Sequence, residues 1–324
     1  MQAVQMTRIG GPEVLRVVDV PEPRAGPGFV RVRNRAVAVN FHDINTRRGD
    51  EPDVELPAIL GTDFAGIVDA VGDDVEHIEV GDRILGINMG GAYAEAALVM
   101  AALGIPIPAG LSFEQAAACP VPGLTAYFLA HQVVPVTSGM TVVAHAAAGA
   151  VGCFIGGLLR QLGATSIGLV SSDEKAEVAR RAGYTHVVNY RKEDPVARVR
   201  QLTGGDGAHV VYDSVAGPQF QRSFDMTAID GTVILFGHAA GDPPPASLKY
   251  WLKSGRNLGL RTYFLGATLQ AHLEMIPAAY NHLFQGLMSG AIYLPIETMP
   301  LVDAAKAHTR IEQQQTVGKV ILVP

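Results

Sequence analysis

The sequence predicts an α/β protein, with a β-rich domain followed by a doubly wound parallel sheet. Up to about Val121, short alternating apolar runs are broken by glycine and proline, whereas from Gly123 apolar runs of strand length alternate with helical patterns. In addition, the apolar run 141–146 leads through a small-residue turn into a helix, which is typical of a nucleotide-binding sheet. With 324 residues, the chain is long enough for two domains.

Composition narrows the class of protein. Hydrophobic residues make up 48% of the chain and charged residues 17%, as in ordinary globular proteins. The net charge of −6, with no basic block, argues against a general nucleic-acid binder. We expect no signal peptide and no membrane span. Two cysteines, Cys119 and Cys153, give no disulfide framework, so a cytoplasmic location is the expectation.

The first domain is predicted to be a small, partly closed β-domain. In the run 29–39, apolar residues alternate with Arg31, Arg33 and Arg35, which are expected on the solvent face of a strand. Further strands are expected at 14–20, 66–72, 81–86 and 93–100. Ser112 and Gln115 have the spacing of a capping box, so a helix is expected to open there and to end by Pro120 and Pro122.

Strands and helices alternate through the second part of the chain, which predicts a parallel sheet covered by helices. The expected strands are 141–146, 166–170, 186–188, 209–212, 232–236 and 258–264. The expected helices are 125–133, 153–162, 174–182, 195–202 and 220–228. Beyond residue 266 we expect helices at 269–288 and 302–313 and a last strand at 318–323.

The turn after the first of these strands reads Ala147-x-Gly149-x-x-Gly152. Small residues let the backbone approach a pyrophosphate, which the N–H groups at the start of the next helix stabilise. The alternative is a tight turn that binds nothing, but the strand–turn–helix context favours a dinucleotide. The residues expected to contact it are Ala148, Gly149, Ala150 and Val151.

The end of the second strand bears on which nicotinamide cofactor binds. NAD calls for a carboxylate on the ribose, whereas NADP calls for a cation at the 2′-phosphate. Ser171 and Ser172 end the strand and Lys175 follows on the next helical turn, a combination that suits a phosphate. Asp173 could serve NAD or cap the helix. We predict NADPH.

The sequence predicts no metal site and no activated nucleophile. Tetrahedral zinc needs several thiolate or imidazole ligands at fixed spacing. His42, His77 and His145 are scattered, and both cysteines lie in or beside helical sequence. No Ser/His/Asp or Cys/His arrangement is apparent either.

Motifs along the whole chain resemble the zinc-independent medium-chain dehydrogenase/reductase family, specifically its quinone oxidoreductase (zeta-crystallin-like) branch. The motifs are Gly10-Gly11-Pro12-Glu13-Val14-Leu15, Asn40-Phe41-His42-Asp43, Gly61-Thr62-Asp63-Phe64-Ala65-Gly66, Gly81-Asp82-Arg83, Gly123-Leu124-Thr125-Ala126, Ala146-Ala147-Ala148-Gly149-Ala150-Val151-Gly152, Tyr212-Asp213-Ser214-Val215 and Gly318-Lys319. The resemblance implies a GroES-like catalytic domain, 1–122 completed by 266–324, and a Rossmann domain, 123–265. It also implies that no metal takes part, because Gly61-Thr62-Asp63 stands where zinc relatives resemble Gly-His-Glu.

The resemblance also assigns site residues. It implies Lys175 and Tyr190 beside the phosphate and adenine of NADPH. It implies Asn40 and Thr125 at the nicotinamide, and it adds four residues along the cofactor: Ser214, Phe236, Gly237 and Lys319. From the residues alone, Asn40 could also be a loop residue that caps its own turn, and Asp43 could be a helix N-terminal carboxylate or a polar group of the site.

One departure affects the substrate. Many quinone oxidoreductases resemble Asn-x-x-Asp-x-Tyr here, whereas this chain has Asn45 in place of the tyrosine. An amide removes a stacking surface but can hydrogen-bond a carbonyl oxygen, so an α,β-unsaturated carbonyl is as plausible as a quinone. Hydride would reach the β-carbon, Asn45 or a backbone N–H would hold the enolate oxygen, and water, His42 or Tyr263 would give the proton. The predicted catalytic residues are Asn40, Asp43, Asn45 and Thr125.

Two alternatives stay open. One is an enoyl-thioester or natural-product enone reductase, with a wider cleft near Asn45, Met89 and Trp251. The other is a non-catalytic NADPH-binding protein with a structural or regulatory role. The partner is expected to be a small-molecule substrate, not nucleic acid or a membrane. Because strand 258–264 would lie at the sheet edge, a homodimer across that edge is expected.

Overall fold

The computed structural model describes residues 1–50, 54–245 and 252–324, so Trp251 lies outside the described residues. The chain divides into two compact units, Met1–Pro122 with Pro295–Pro324, and Gly123–Leu294. This division differs from the predicted one at 266–294, which belongs to the second unit. The reason lies in distant contacts: Arg160 donates to the carbonyl of Ala291 at 2.7 Å, and Gly157 packs so closely on Ile292 that a Cβ would come within 2.9 Å.

The first unit is built from two sheets. The strands are β1 Gln2–Met6, β2 Arg16–Asp19, β3 Phe29–Ala38, β4 Ala58–Ile59, β5 Asp63–Val71, β6 Arg83–Ile87, β7 Ala96–Met100, β8 Ile105–Pro106, β15 Ile296–Pro300 and β16 Lys319–Val323. Strand β1 joins β2 and β4 in a three-stranded sheet, and the larger sheet has the order β15-β16-β3-β5-β6-β8, with β7 also pairing with β3. Val30 and Val32 of β3 are buried, whereas Arg31 and Arg33 pair with Asp69 on β5, as the alternation predicts.

The helices of this unit are α1 Phe41–Arg48, α2 Phe113–Ala117 and α10 Ala304–Glu312, and helix α3 Pro120–Phe128 begins here and continues in the second unit. The predicted capping box is confirmed, because the Gln115 N–H donates to Ser112 Oγ and the Ser112 N–H donates to the Gln115 side chain. The helix that opens at Ser112 ends before Pro120, as predicted, but the next helix begins earlier than expected, at Pro120 rather than at Thr125. Helix α2 ends at Ala117 and α3 begins at Pro120, since proline fits the first turn of a helix, where its missing N–H leaves no bond unmade.

The second unit contains a six-stranded parallel sheet with the order β11-β10-β9-β12-β13-β14. The strands are β9 Thr141–Ala144, β10 Thr165–Val170, β11 His186–Asn189, β12 Ala208–Asp213, β13 Thr227–Leu235 and β14 Gly259–Thr262. The order reverses between β9 and β12, which is the doubly wound arrangement that the sequence predicts. At the carboxyl edge of such a sheet, the reversal is where ligands bind.

Helices cover both faces of this sheet. They are α4 Ala150–Gln161, α5 Asp173–Ala182, α6 Pro195–Leu202, α7 Gln221–Asp225, α8 Leu265–Ala271 and α9 Ile276–Met288. The predicted helix 220–228 was too long, because the β-branched Thr227 opens β13 and pairs with Ala208 of β12. Within the described ranges, no helix has the length and apolar character that a membrane span requires.

Candidate functional site

The small-residue turn between β9 and α4 has the form of an anion site. Gly149 precedes α4 with an extended backbone and offers no side-chain cap, so protein side chains leave the N–H groups of the first turn available. A Cβ on Gly152 would lie 2.5 Å from the carbonyl oxygen of Ala146, which explains why this position requires glycine. Ala148, Gly149, Ala150 and Val151 therefore lie at the positive end of a 12-residue helix.

A second group of predicted residues meets at the ends of β10 and β11. These strands pair in parallel, with Val170 opposite Asn189, so Ser171 and Tyr190 follow at the same edge. The Ser172 Oγ accepts from the Lys175 N–H at 3.2 Å and thus caps α5. Burial lowers the pKa of the half-buried Lys175.

The sequence left the role of Asp173 open and did not indicate Arg191. The Asp173 carboxylate accepts from Lys192 Nζ at 2.5 Å and from Asn189 Nδ2 at 3.1 Å. It is therefore paired with groups at and just beyond the end of β11, in a contact that is largely exposed to solvent. Arg191 lies close enough to Lys175 to lower the pKa of that ammonium further, after burial. Two cations thus lie near one another at this edge, and no local motif indicated Arg191.

The loops after β12 and β13 bring the next three predicted residues together. Ser214 follows β12, and the Phe236 N–H donates to the carbonyl of Asp213 at 2.9 Å. Gly237 lies so near that a Cβ would be 2.8 Å from the Ser214 carbonyl oxygen. Ser214, Phe236 and Gly237 therefore form one cluster at the carboxyl edge, beside the switch in strand order.

Asn40 of the first unit is the centre of a buried polar cluster. Its side-chain nitrogen donates to Thr62 Oγ1 at 2.8 Å and to Asp63 Oδ2 at 2.9 Å. Its side-chain oxygen accepts from Lys319 Nζ. Its backbone N–H donates to Asp43 Oδ2 at 2.8 Å. Both amide hydrogens of Asn40 are used within the protein, so the orientation of the amide is fixed.

Asp63 and Lys319 form a buried pair of opposite charge in this cluster. Asp63 is 0% and Lys319 3% exposed, and Lys319 Nζ lies 3.9 Å from Asp63 Oδ2. Burial raises the pKa of Asp63 to about 6 against the opposing effect of Lys319, and burial lowers the pKa of Lys319. Asp63 Oδ2 also accepts from the Val121 N–H at 3.1 Å. Asp63 and Lys319 both form hydrogen bonds with the Asn40 side chain and thereby fix its orientation.

Asp43 connects this cluster to a second buried chain. The Tyr93 hydroxyl donates to Asp43 Oδ2 at 3.1 Å and lies 2.9 Å from His308 Nε2 on α10. Burial raises the pKa of Asp43. Tyr93 and His308 were missed by the sequence reasoning because they are 215 residues apart and belong to no motif.

His308 makes stability pH-dependent. Burial, and after it Arg47, lowers the pKa of His308 to about 3, so the unfolded chain binds a proton below about pH 6.5 that the folded chain refuses. Folded-state stability should therefore fall as pH drops, by about 1.4 kcal/mol from this residue between about pH 7.5 and about pH 5.5.

Urea unfolding of wild type and His308→Gln at both pH values tests this prediction. Asp63 titrates in the opposite sense, since its raised pKa makes stability fall as pH rises, so only the difference between the two proteins isolates His308. The variant should lose about 1.4 kcal/mol of the pH dependence. The same pH dependence in both proteins would contradict the assignment.

The remaining predicted catalytic residues are both buried. Asn45 lies on α1 with 8% of its surface exposed, and its carbonyl accepts from the N–H groups of Gly49 and Asp50. Thr125 lies on α3, in the second unit, with 6% exposed.

Two expectations about reactive groups have different outcomes. Contrary to the sequence analysis, a Ser/His/Asp cluster exists: Ser223 Oγ lies 3.0 Å from His145 Nε2 and 2.6 Å from Asp213 Oδ2. Ser223 is fully buried and donates to the carboxylate, so it is no nucleophile. Burial raises the pKa of the Cys153 thiol to about 12 and also that of Cys119, which keeps both inert. Across residues 1–50, 54–245 and 252–324, no three His, Cys, Asp or Glu side chains are grouped to hold a metal ion.

Known proteins match the chain over its whole length. Residues 26–109 match the alcohol dehydrogenase GroES-like domain, and residues 150–278 match the zinc-binding dehydrogenase family. A quinone oxidoreductase from Pseudomonas aeruginosa is 37% identical, covering 99% of both chains. A 2-haloacrylate reductase from a Burkholderia species is 35% identical, covering 100% of this chain and 99% of the relative.

The structure of the Escherichia coli quinone oxidoreductase complexed with NADPH matches with a TM-score of 0.96. It covers 100% of both chains at 35% identity. The two family models match consecutive parts of the chain, and the full-length relatives are similar enough in sequence to indicate common descent. The chain therefore belongs to the quinone oxidoreductase family of the medium-chain dehydrogenases/reductases.

Proposed function

We propose that this protein is an NADPH-dependent oxidoreductase that transfers hydride to a quinone or an α,β-unsaturated carbonyl without a metal ion. The observation that carries the proposal is the edge formed by Ser171, Ser172 and Lys175. There Lys175 lies beside Arg191, whose effect on the pKa of Lys175 exceeds that of the Glu174 carboxylate, and Asp173 is paired with Lys192. Such an edge suits a 2′-phosphate better than a bare ribose.

The other contacts of the cofactor follow from the same edge. The uncapped start of α4, from Ala148 to Val151, would hold the pyrophosphate. Tyr190, 41% exposed, offers its ring to the adenine. The cluster of Ser214, Phe236 and Gly237 lies next along the edge, toward the nicotinamide. When bound, NADPH supplies the hydride.

We assign the nicotinamide end to Asn40, Thr125 and Lys319. Because both amide hydrogens of Asn40 are engaged, we assign it an orienting role, with its fixed side-chain oxygen and Lys319 as the polar groups of this region. Asp43 accepts from the Asn40 N–H and from Tyr93, which supports the helix N-terminal carboxylate rather than a group that reacts.

Two features favour a conjugated acceptor. Asn45 replaces a ring with an amide that can stabilise a developing enolate oxygen. A relative is named for reducing 2-haloacrylate, whose double bond is conjugated to a carboxyl group. The proton would come from water, His42 or Tyr263, and burial raises the pKa of Tyr263 to about 12, which makes its hydroxyl a weaker acid than that of an ordinary tyrosine.

The proposal includes a metal-free mechanism. The segment Gly61-Thr62-Asp63 is engaged with Asn40 rather than grouped with thiolates, and Cys119 is a buried, protonated thiol. A structural or regulatory protein that binds NADPH without using it remains the contrasting candidate, and turnover separates the two.

The test is NADPH consumption with a simple para-quinone and a short conjugated enone, each with and without a chelator. We expect turnover of at least one acceptor, unchanged by the chelator. Faster reduction of the enone would favour double-bond reduction, and Asn45→Ala should then lower its rate more than that of the quinone. If NADPH binds tightly and neither acceptor is reduced, the proposal that the protein reduces simple acceptors is overturned. The result would instead favour an enoyl-thioester reductase or a non-catalytic NADPH-binding protein.

We also propose a cytoplasmic location, which two free, buried cysteines suit, and a homodimer across residues 258–264. Strand β14 forms an edge of the sheet, and Phe264 just beyond it is 60% exposed. An unpaired strand edge beside an exposed aromatic ring favours pairing with a second copy. Light scattering should give the dimer mass, and a monomer mass at assay concentration would count against it.

A further inference from the structure

Asp213, Ser223 and His145 form a buried cluster that the proposed chemistry does not use. The Asp213 carboxylate, 1% exposed, ends β12 and accepts from Ser223 Oγ at 2.6 Å. Its other oxygen accepts from the N–H groups of Val215 and Ala216 at 2.8 and 2.9 Å. We call Asp213, Ser223 and His145 the carboxyl-edge latch.

The direction of these hydrogen bonds follows from the donors available. A serine hydroxyl has one hydrogen, and Ser223 gives it to the Asp213 carboxylate, which cannot donate. His145 Nε2, 3.0 Å from Ser223 Oγ, must therefore be the donor in that bond. The backbone N–H of His145 donates separately to the carbonyl of Tyr212 at 2.9 Å. The latch thus joins the ends of β9 and β12 through side chains as well as backbone.

Each loop that the latch holds contains a strained alanine. Ala146, directly after His145, has φ of 49°, and Ala216, whose N–H binds Asp213, has φ of 51° and ψ of −126°. Side chains with a Cβ seldom adopt such angles, which persist only where the surroundings impose them. Asp213 binds the Ala216 N–H directly, and His145 is bonded one residue before Ala146, whose own carbonyl accepts from the Gly149 N–H at 2.9 Å.

The strained loops are those that would meet the nucleotide. Ala146 opens the turn that leads to Gly149 and α4, and Ala216 closes the loop that carries Ser214. They follow the two adjacent strands between which the strand order reverses. Strain at such a place preorganises a binding edge when a rigid network maintains it.

We propose that Asp213, Ser223 and His145 are positioning residues that hold Ala146 and Ala216 in conformations with positive φ and so preform the nucleotide edge. The inference rests on the proposed function for the identity of its ligand, NADPH. The latch touches the loops rather than the reacting atoms, so it should govern cofactor affinity.

The test uses Ser223→Ala and, as a milder change at the partly exposed end, His145→Ala. Ser166→Ala is the matched control, because Ser166 is equally buried on β10 but bonds Thr185 instead. Hydrogen exchange of residues 145–149 and 214–217 is measured in the protein without nucleotide, and the Kd for NADPH is measured by titration. We expect faster exchange in both segments and a Kd raised about tenfold or more in the latch variants, with neither change in the control.

A further variant separates positioning from general damage. Glycine adopts a positive φ without strain. The double variant Ser223→Ala with Ala146→Gly should therefore bind NADPH with a Kd at least about threefold lower than that of Ser223→Ala alone. Unchanged exchange, or faster exchange with an unchanged Kd, would overturn the proposal, as would a glycine variant that recovers nothing. If the wild type itself fails to bind NADPH, both the proposed function and the positioning role are rejected. If the wild type binds NADPH and the latch variants bind it equally well, only the positioning role is rejected.

Discussion

Replacing Lys175 by alanine should weaken NADPH binding about 10- to 100-fold while leaving NADH binding within about twofold of wild type. The ammonium is half-buried beside Arg191 at the ends of β10 and β11, where a phosphate would neutralise both cations. A hydrogen bond to a charged group contributes about 1.5–3 kcal/mol, which sets the size of the loss. NADH lacks that phosphate, so its binding does not depend on this contact with Lys175.

Titration of both cofactors into wild type, Lys175→Ala and Lys175→Ala with Arg191→Ala gives the comparison. The second substitution should weaken NADPH binding further and again spare NADH. Lys306→Ala is the control, because Lys306 is an exposed lysine on α10 in the other unit. Equal weakening of both nicotinamides by Lys175→Ala would show that this edge does not read the phosphate.

Replacing Lys319 by methionine should lower the free energy of unfolding by about 3–5 kcal/mol, because it leaves the Asp63 carboxylate buried without its counter-charge. Asp63 is fully buried, and burial already raises its pKa to about 6 with the ammonium present. Without Lys319, the carboxylate must either stay charged in an apolar surrounding or take up a proton.

The double variant Lys319→Met with Asp63→Asn shows whether the loss of stability comes from the unpaired charge or from the packing of the lysine stem. It removes both charges and keeps a polar side chain for the Val121 N–H, so it should recover at least half of the loss measured by denaturant unfolding. A single variant within about 1 kcal/mol of wild type would contradict a buried ion pair at this position. A loss that the double variant does not recover would assign the effect to packing of the lysine stem.

The sequence predicts the features that depend on local pattern. The parallel sheet follows from strands and helices alternating at regular spacing, and the turn at Gly149 follows from small residues between a strand and a helix. The same local signals fail where a residue suits two roles. Pro120 was correctly predicted to lie beyond the end of one helix, but it also begins the next helix, which was expected only from Thr125, because proline is suited to the first turn as well as to positions beyond the last.

The features that could not be predicted depend on contacts between distant segments. The helices between 265 and 288 join the second unit because the segment after them, Ala291 and Ile292, packs on α4, more than 120 residues earlier. Arg191 reaches Lys175 only once β11 lies beside β10. Ser223 meets His145 across 78 residues, so no spacing in the sequence marks them as partners.

The most direct test of the central claim is the transfer of label from NADPH deuterated at the reacting carbon of the nicotinamide to a short conjugated enone. The product, analysed by mass spectrometry and NMR in ordinary water with a chelator present, should carry one deuterium at the β-carbon and one hydrogen from solvent at the α-carbon. A product without deuterium, or NADPH that binds and is never consumed, would contradict direct, metal-free hydride transfer to a conjugated carbonyl by this protein.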